Sequence, residues 1–150
     1  MNSSDHADAP CSPDWLEPID HTADIGIVVH APDLGTLFSR AAWAMFETLT
    51  NIQCVRPDDR LAVTVEAPDI EALMVRWLSE LNFLHESRSR VFSRFDVLNV
   101  TQTTLSAQVY GEHIDPGRHT VHTEIKAVTY HRLRIEFNSG EYTARIIFDV

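Results

Sequence analysis

Ile19-Asp20-His21-Thr22-Ala23-Asp24-Ile25-Gly26-Ile27 places two carboxylates and an imidazole within five residues, directly ahead of a β-branched run. Carboxylate oxygens suit Ca²⁺, Mg²⁺ or Mn²⁺, and an imidazole extends the range to Zn²⁺ or Fe²⁺. Asp, His and Thr also build ordinary turns and strand entries, so this spacing alone leaves both readings open. A second carboxylate, Asp149, closes the apolar run Ala144-Arg145-Ile146-Ile147-Phe148-Asp149-Val150. An ionised Asp there needs a cation if it is buried, or solvent if the end frays. If the last strand lies beside the one that starts at Asp24, the two aspartates meet at one edge. The main-chain oxygen of Val150 would then supply a third hard ligand. Lys126, the single lysine of the chain, sits in Glu124-Ile125-Lys126-Ala127-Val128-Thr129-Tyr130. It either neutralises the acidic pair, presents a charge to a partner, or protects a strand edge.

The elements that would position these residues follow from periodicity. Trp15 to Ile19 reads as a short strand, and Asp24 to His30 as a second. Ala31-Pro32-Asp33 ends it, with Asp33 as N-cap of a helix whose apolar stripe runs from Leu34 to Leu49. Leu61 to Glu66 alternates as a half-buried strand does. Ala67-Pro68-Asp69 then repeats the earlier punctuation before a helix carrying Ile70, Leu73, Met74, Trp77, Leu78, Leu81 and Leu84. Two strand–Ala-Pro-Asp–helix units fit either an internal duplication or convergent capping.

Beyond Val91 the helical period disappears. Segments 92–100, 103–110, 124–129, 132–138 and 142–150 read as strands, separated in part by Gly111, Asp115-Pro116-Gly117 and Asn138-Ser139-Gly140. Helices early and strands late predict an α+β domain, with two helices packed on one side of a largely antiparallel β-sheet. Residues 1–14 are polar and aperiodic, and are expected to form a disordered tail ahead of a single domain over 15–150.

Composition narrows the partners. With 22 acidic against 12 basic residues, the net charge of −10 disfavours tight direct binding of nucleic acid and favours a cation or a basic protein. No apolar run is long enough to span a membrane, and no basic-then-apolar leader opens the chain, so no membrane partner is expected. Cys11 and Cys54 stand far apart without metal-ligand spacing, as suits a reduced cytoplasm. His119 and His122 fall in a turn region and are expected to be solvated, and Gly111-Glu112 to be structural. No phosphate-binding glycine loop, nucleophile elbow or zinc-protease helix is present, so nothing specifies catalysis.

Taken together, Ile19–Ile27, the Leu-Phe and Ala-Met-Phe helix, Ala72-Leu-Met-Val-Arg-Trp-Leu-Ser-Glu-Leu81, Gly111-Glu112, Glu124-Ile-Lys-Ala-Val-Thr-Tyr-His131 and the terminal Phe-Asp-Val resemble the archease family over residues 15–150. That resemblance implies a non-enzymatic protein cofactor. Archeases activate the RtcB-type ligase of tRNA splicing and RNA repair, promoting guanylylation of its histidine and sustaining multiple turnover. It further implies a divalent metal, Ca²⁺ foremost with Mn²⁺ or Mg²⁺ as alternatives, at Asp24, Asp149 and the main-chain oxygen of Val150. Lys126 matches a lysine important for activation, and Asp20 and His21 would shape the loop. Asn82-Phe83 stands where a leucine-rich run is commoner, a departure expected to touch helix packing rather than the site. Two other functions compete: a chaperone-like modulator of other RNA-modifying enzymes, and a metal-dependent hydrolase built on the same carboxylates. The hydrolase lacks a second carboxylate cluster and a phosphate cradle in the sequence.

Overall fold

A computed structural model describes residues 13–20 and 24–150. Strands β1 (Leu16–Asp20) and β2 (Asp24–Ala31) lead into helix α1 (Leu34–Leu49). A short 3-10 turn (Ile52–Cys54) and β3 (Asp59–Glu66) precede helix α2 (Ile70–Arg88). Four strands complete the chain: β4 (Arg90–Val100), β5 (Thr104–His113), β6 (Ala127–Asn138) and β7 (Glu141–Asp149). All pairings are antiparallel, so the expected α+β class holds. The strands divide between two sheets, in the orders β1-β2-β7-β6 and β3-β5-β4.

Both helices start as the repeated Ala-Pro-Asp punctuation predicts. Asp33 accepts from the Thr36 N–H and Asp69 from the Ala72 N–H, each at 2.8 Å, which satisfies a donor that the first turn leaves open. Helix α2 ends at Ser89, whose left-handed backbone (φ 53°) turns the chain straight into β4. The helices pack on both sheets, α1 mainly on β4 and β2, α2 on β6 and the three-stranded sheet. Trp77 fills the centre, fully buried, and its indole N–H donates to the Phe38 carbonyl at 2.9 Å. That bond ties the two helices together while satisfying the one polar atom of a large apolar side chain.

Two expected strands are one in the structure. Segments 124–129 and 132–138 were separable by pattern, yet β6 runs from Ala127 to Asn138 with a bulge inside it. Thr129 pairs with Ile147 and Arg134 with Arg145, so residues 130–133 oppose Ile146 alone. The interruption of the alternation at Tyr130-His131 is this bulge, not a turn.

His119 corrects a second expectation. It is buried, not solvated, whereas His122 is exposed as expected. His119 Nδ1 accepts from the Asp115 N–H at 2.8 Å, which leaves Nε2 to donate to Glu112 at 2.9 Å. Glu112 also takes both Arg118 Nη groups and the Arg56 N–H. Arg118 foremost, then the Arg56 N–H and His119, hold this carboxyl at about 2 against the upward push of burial. The network pins the first part of the β5–β6 connection to the body of the domain.

The sign of its pH dependence follows. The folded-state pKa is depressed, so the contribution is complete above about 4.5 and is lost as pH falls through about 2. It amounts to roughly 3 kcal/mol at neutral pH. Urea unfolding followed from pH 6 down to about pH 2 should therefore show a loss of stability that Glu112→Gln flattens.

Candidate metal and partner-docking tip

The two ends of the domain come together. Asp24, the first residue of β2, lies directly opposite Asp149, the last residue of β7. Directly opposed residues of antiparallel strands put their side chains on the same face, with Cβ atoms roughly 4.5–5.5 Å apart. Like charges so placed repel unless a cation sits between them. Asp149 is exposed and Asp24 half-buried, so both carboxylates reach solvent at the sheet's end.

The third strand completes the tip. Asp149 also pairs with Ala127 of β6, and the Lys126 N–H donates to the Asp149 main-chain oxygen at 2.7 Å. Lys126 thus sits immediately before β6, not within an apolar strand as its neighbours suggested, and it is exposed. Val150 follows Asp149 and is partly buried against the core. Asp20 ends β1 opposite Ile25, next to the Asp24 end of β2. His21 lies outside the described residues, as does the side chain of Asp20.

Among the described residues the donor set at this edge is therefore two carboxylates on one face with main-chain oxygens beside them. Among the described residues no group of three or more His, Cys, Asp or Glu side chains gathers to hold a metal. An oxygen-only set completed by main-chain carbonyl and water fits a hard cation such as Ca²⁺, and it does not fit Zn²⁺ in a closed site.

Gly26 shapes the same face. A Cβ there would stand 3.0 Å from both Ile147 Cδ1 and Ile19 Cβ, so the glycine lets those isoleucines close over the sheet just behind the aspartates.

Asn82, expected to touch helix packing, also makes a long-range bond: its buried amide reaches from α2 and donates to the Ile125 carbonyl at 2.8 Å. Ile125 is fully buried and adjoins Lys126, so this bond fixes the backbone from which the lysine extends. The Asn82 Oδ1 is left without a partner among the described residues. The signal in the sequence was a polar residue within the mainly apolar buried face of the helix, which also carries His85.

The sequence and fold of the chain match a known family. The family model described as the Archease protein family matches residues 16–150. The chain belongs to the archease family. The archease of Methanopyrus kandleri is 35% identical over 137 residues, covering 89% of this chain and 98% of its own. That of Sulfurisphaera tokodaii is 35% identical over 136 residues, covering 90% and 98%. Among solved structures, protein 1598 of Methanobacterium thermoautotrophicum is 32% identical, with a TM-score of 0.72 over 91% of this chain and 99% of that one. An archease of Thermotoga maritima, described as a possible chaperone, shares the fold at 19% identity, with a TM-score of 0.58 over 89% of this chain and 96% of that one. No helix of the described archease residues is long and apolar enough to cross a membrane.

Proposed function

We propose that this archease is a cytoplasmic protein cofactor that activates an RtcB-type RNA-splicing ligase, promoting its guanylylation and multiple turnover without catalysing bond chemistry itself. The observation that carries the reading is the direct opposition of Asp24 and Asp149 at the end of the sheet. In this reading the two carboxylates and the Val150 main-chain oxygen hold a divalent cation, Ca²⁺ foremost, with Mn²⁺ or Mg²⁺ able to replace it. The cation supplies positive charge that organises phosphate oxygens in the partner's cleft. Lys126 contributes a fixed charge for docking, and Asp20 and His21 shape the adjoining loop. A net charge of −10 suits a visit to a basic nucleotide-binding cleft and makes RNA itself a poor direct ligand.

The test measures ligase guanylylation with and without this protein, in Mg²⁺ and in Mn²⁺. Acceleration in either metal is the expected result, and no acceleration in both removes the proposal. A second reading, a chaperone-like modulator of other RNA-modifying enzymes, draws on the exposed apolar side chains Phe83, Tyr130 and Phe137. It would replace the first if Asp149→Ala and Lys126→Ala both left activation intact.

A further inference from the structure

We propose that Arg132, Arg134 and Arg145 form a phosphate-binding site on the outer face of the four-stranded sheet, separate from the acidic tip. They line an open cavity of about 570 Å³ with Val28, Leu133, Glu136 and Thr143. Three of the 12 basic residues of a strongly acidic chain therefore converge on one cavity.

Arg134 and Arg145 are directly opposed across β6 and β7, so two like charges face one another where the register would favour an opposite pair. Among the described residues the one carboxylate near Arg134 is Glu136, at 3.7 Å. Among the described residues no carboxylate lies within 4.0 Å of Arg132 or Arg145. Edge protection accounts for basic residues on β6, which is an outer strand, but not for Arg145 on β7, which is flanked on both sides.

The β6 bulge supports the same reading. Its residues 130–133 oppose Ile146 alone, and Arg132 within it has φ 57°, a left-handed backbone that a residue with a Cβ adopts at a cost. The bulge displaces Arg132 from the regular ladder and brings it to the rim of the cavity that Arg134 and Arg145 line. Planar guanidiniums with paired N–H donors match tetrahedral phosphate oxygens, and a cavity of this size admits one small phosphate ester.

Arg145, Ile147 and Asp149 alternate along β7 and so share a face, with about 13 Å between the ends of that run at ordinary strand rise. The arginine site thus needs no metal. Its success or failure is independent of the function proposed for the tip.

The experiment titrates the full chain with pyrophosphate in EDTA, followed by calorimetry and by amide shifts, in the wild type and in an Arg134→Gln/Arg145→Gln double variant. Saturable binding that perturbs β6 and β7 amides, weakened about tenfold or more in the double variant, is the expected result. Parallel titrations use glutarate and a single-stranded RNA with unphosphorylated ends. Weaker binding of both than of pyrophosphate supports a free phosphate group as ligand. Equal or tighter binding of either would overturn the proposal, as would no binding of pyrophosphate or binding indifferent to the double substitution. Thermal melting separates a structural role. Relief of the Arg134–Arg145 repulsion should leave the double variant at least as stable as the parent, and a lower melting temperature would overturn the assignment.

Discussion

Gly111→Ala is expected to leave little or no folded protein. Gly111 lies in β5 between Asp59 of β3 and Phe92 of β4, at the point where the β4–β5 register shifts. A Cβ built there would stand 1.9 Å from the Val91 carbonyl oxygen and 2.7 Å from the Phe92 Cα. Both obstacles are backbone, and both belong to a central pairing of the three-stranded sheet, so no side-chain rotation relieves them. Relief requires prising β4 from β5, with loss of ladder bonds and of the burial of Val91 and Phe92, which are fully buried. A cost above about 4 kcal/mol follows, a large share of what an ordinary domain has. Urea unfolding at 25 °C followed by circular dichroism checks it. Gly35→Ala is the contrasting variant, because a Cβ in the first turn of α1 meets nothing closer than 3.5 Å. That substitution should stabilise the protein by roughly 0.5–1 kcal/mol.

The second large effect concerns the tip. Asp149→Asn and Asp24→Asn should each weaken Ca²⁺ binding about a hundredfold or more, since each removes one of the two opposed carboxylates that the described residues offer the ion. A matching stability change follows from the same geometry. Without metal, either variant relieves the repulsion between opposed aspartates and should melt no lower than the wild type. With saturating Ca²⁺ the order should reverse, because only the wild type gains from ligand linkage. Calorimetric titration and melting with and without Ca²⁺ read both, with exposed Asp58→Asn as a control that should change neither. If Asp58→Asn matched the tip variants, the ion would be responding to overall charge instead.

Much of this arrangement was legible because short-range physics dominated it. Helix starts were announced by Asp33 and Asp69, whose capping bonds are local. The β2 and β7 strands showed in their alternation, and from them the meeting of Asp24 with Asp149 could be stated as a condition. What escaped depended on partners distant in sequence. The division into two sheets is decided by which strands pair, which alternation does not encode. His119 looked solvated because its neighbours are turn residues, but its burial is set by Glu112 and Arg118, brought together by the path of the β5–β6 connection. Asn82 looked like a blemish on a helix face because its partner, the Ile125 carbonyl, lies 43 residues away. The β6 bulge broke a period-two pattern and was therefore divided into two strands.

The most direct measurement is the rate at which an RtcB-type ligase becomes guanylylated in the presence of wild-type protein and of Asp149→Asn, each shown to be folded. Stimulation by the wild type that falls at least tenfold with the variant, and that survives Asp58→Asn, is the expected outcome. Equal stimulation by wild type, Asp149→Asn and Asp24→Asn would contradict it, because the opposed carboxylates would then have no part in activation.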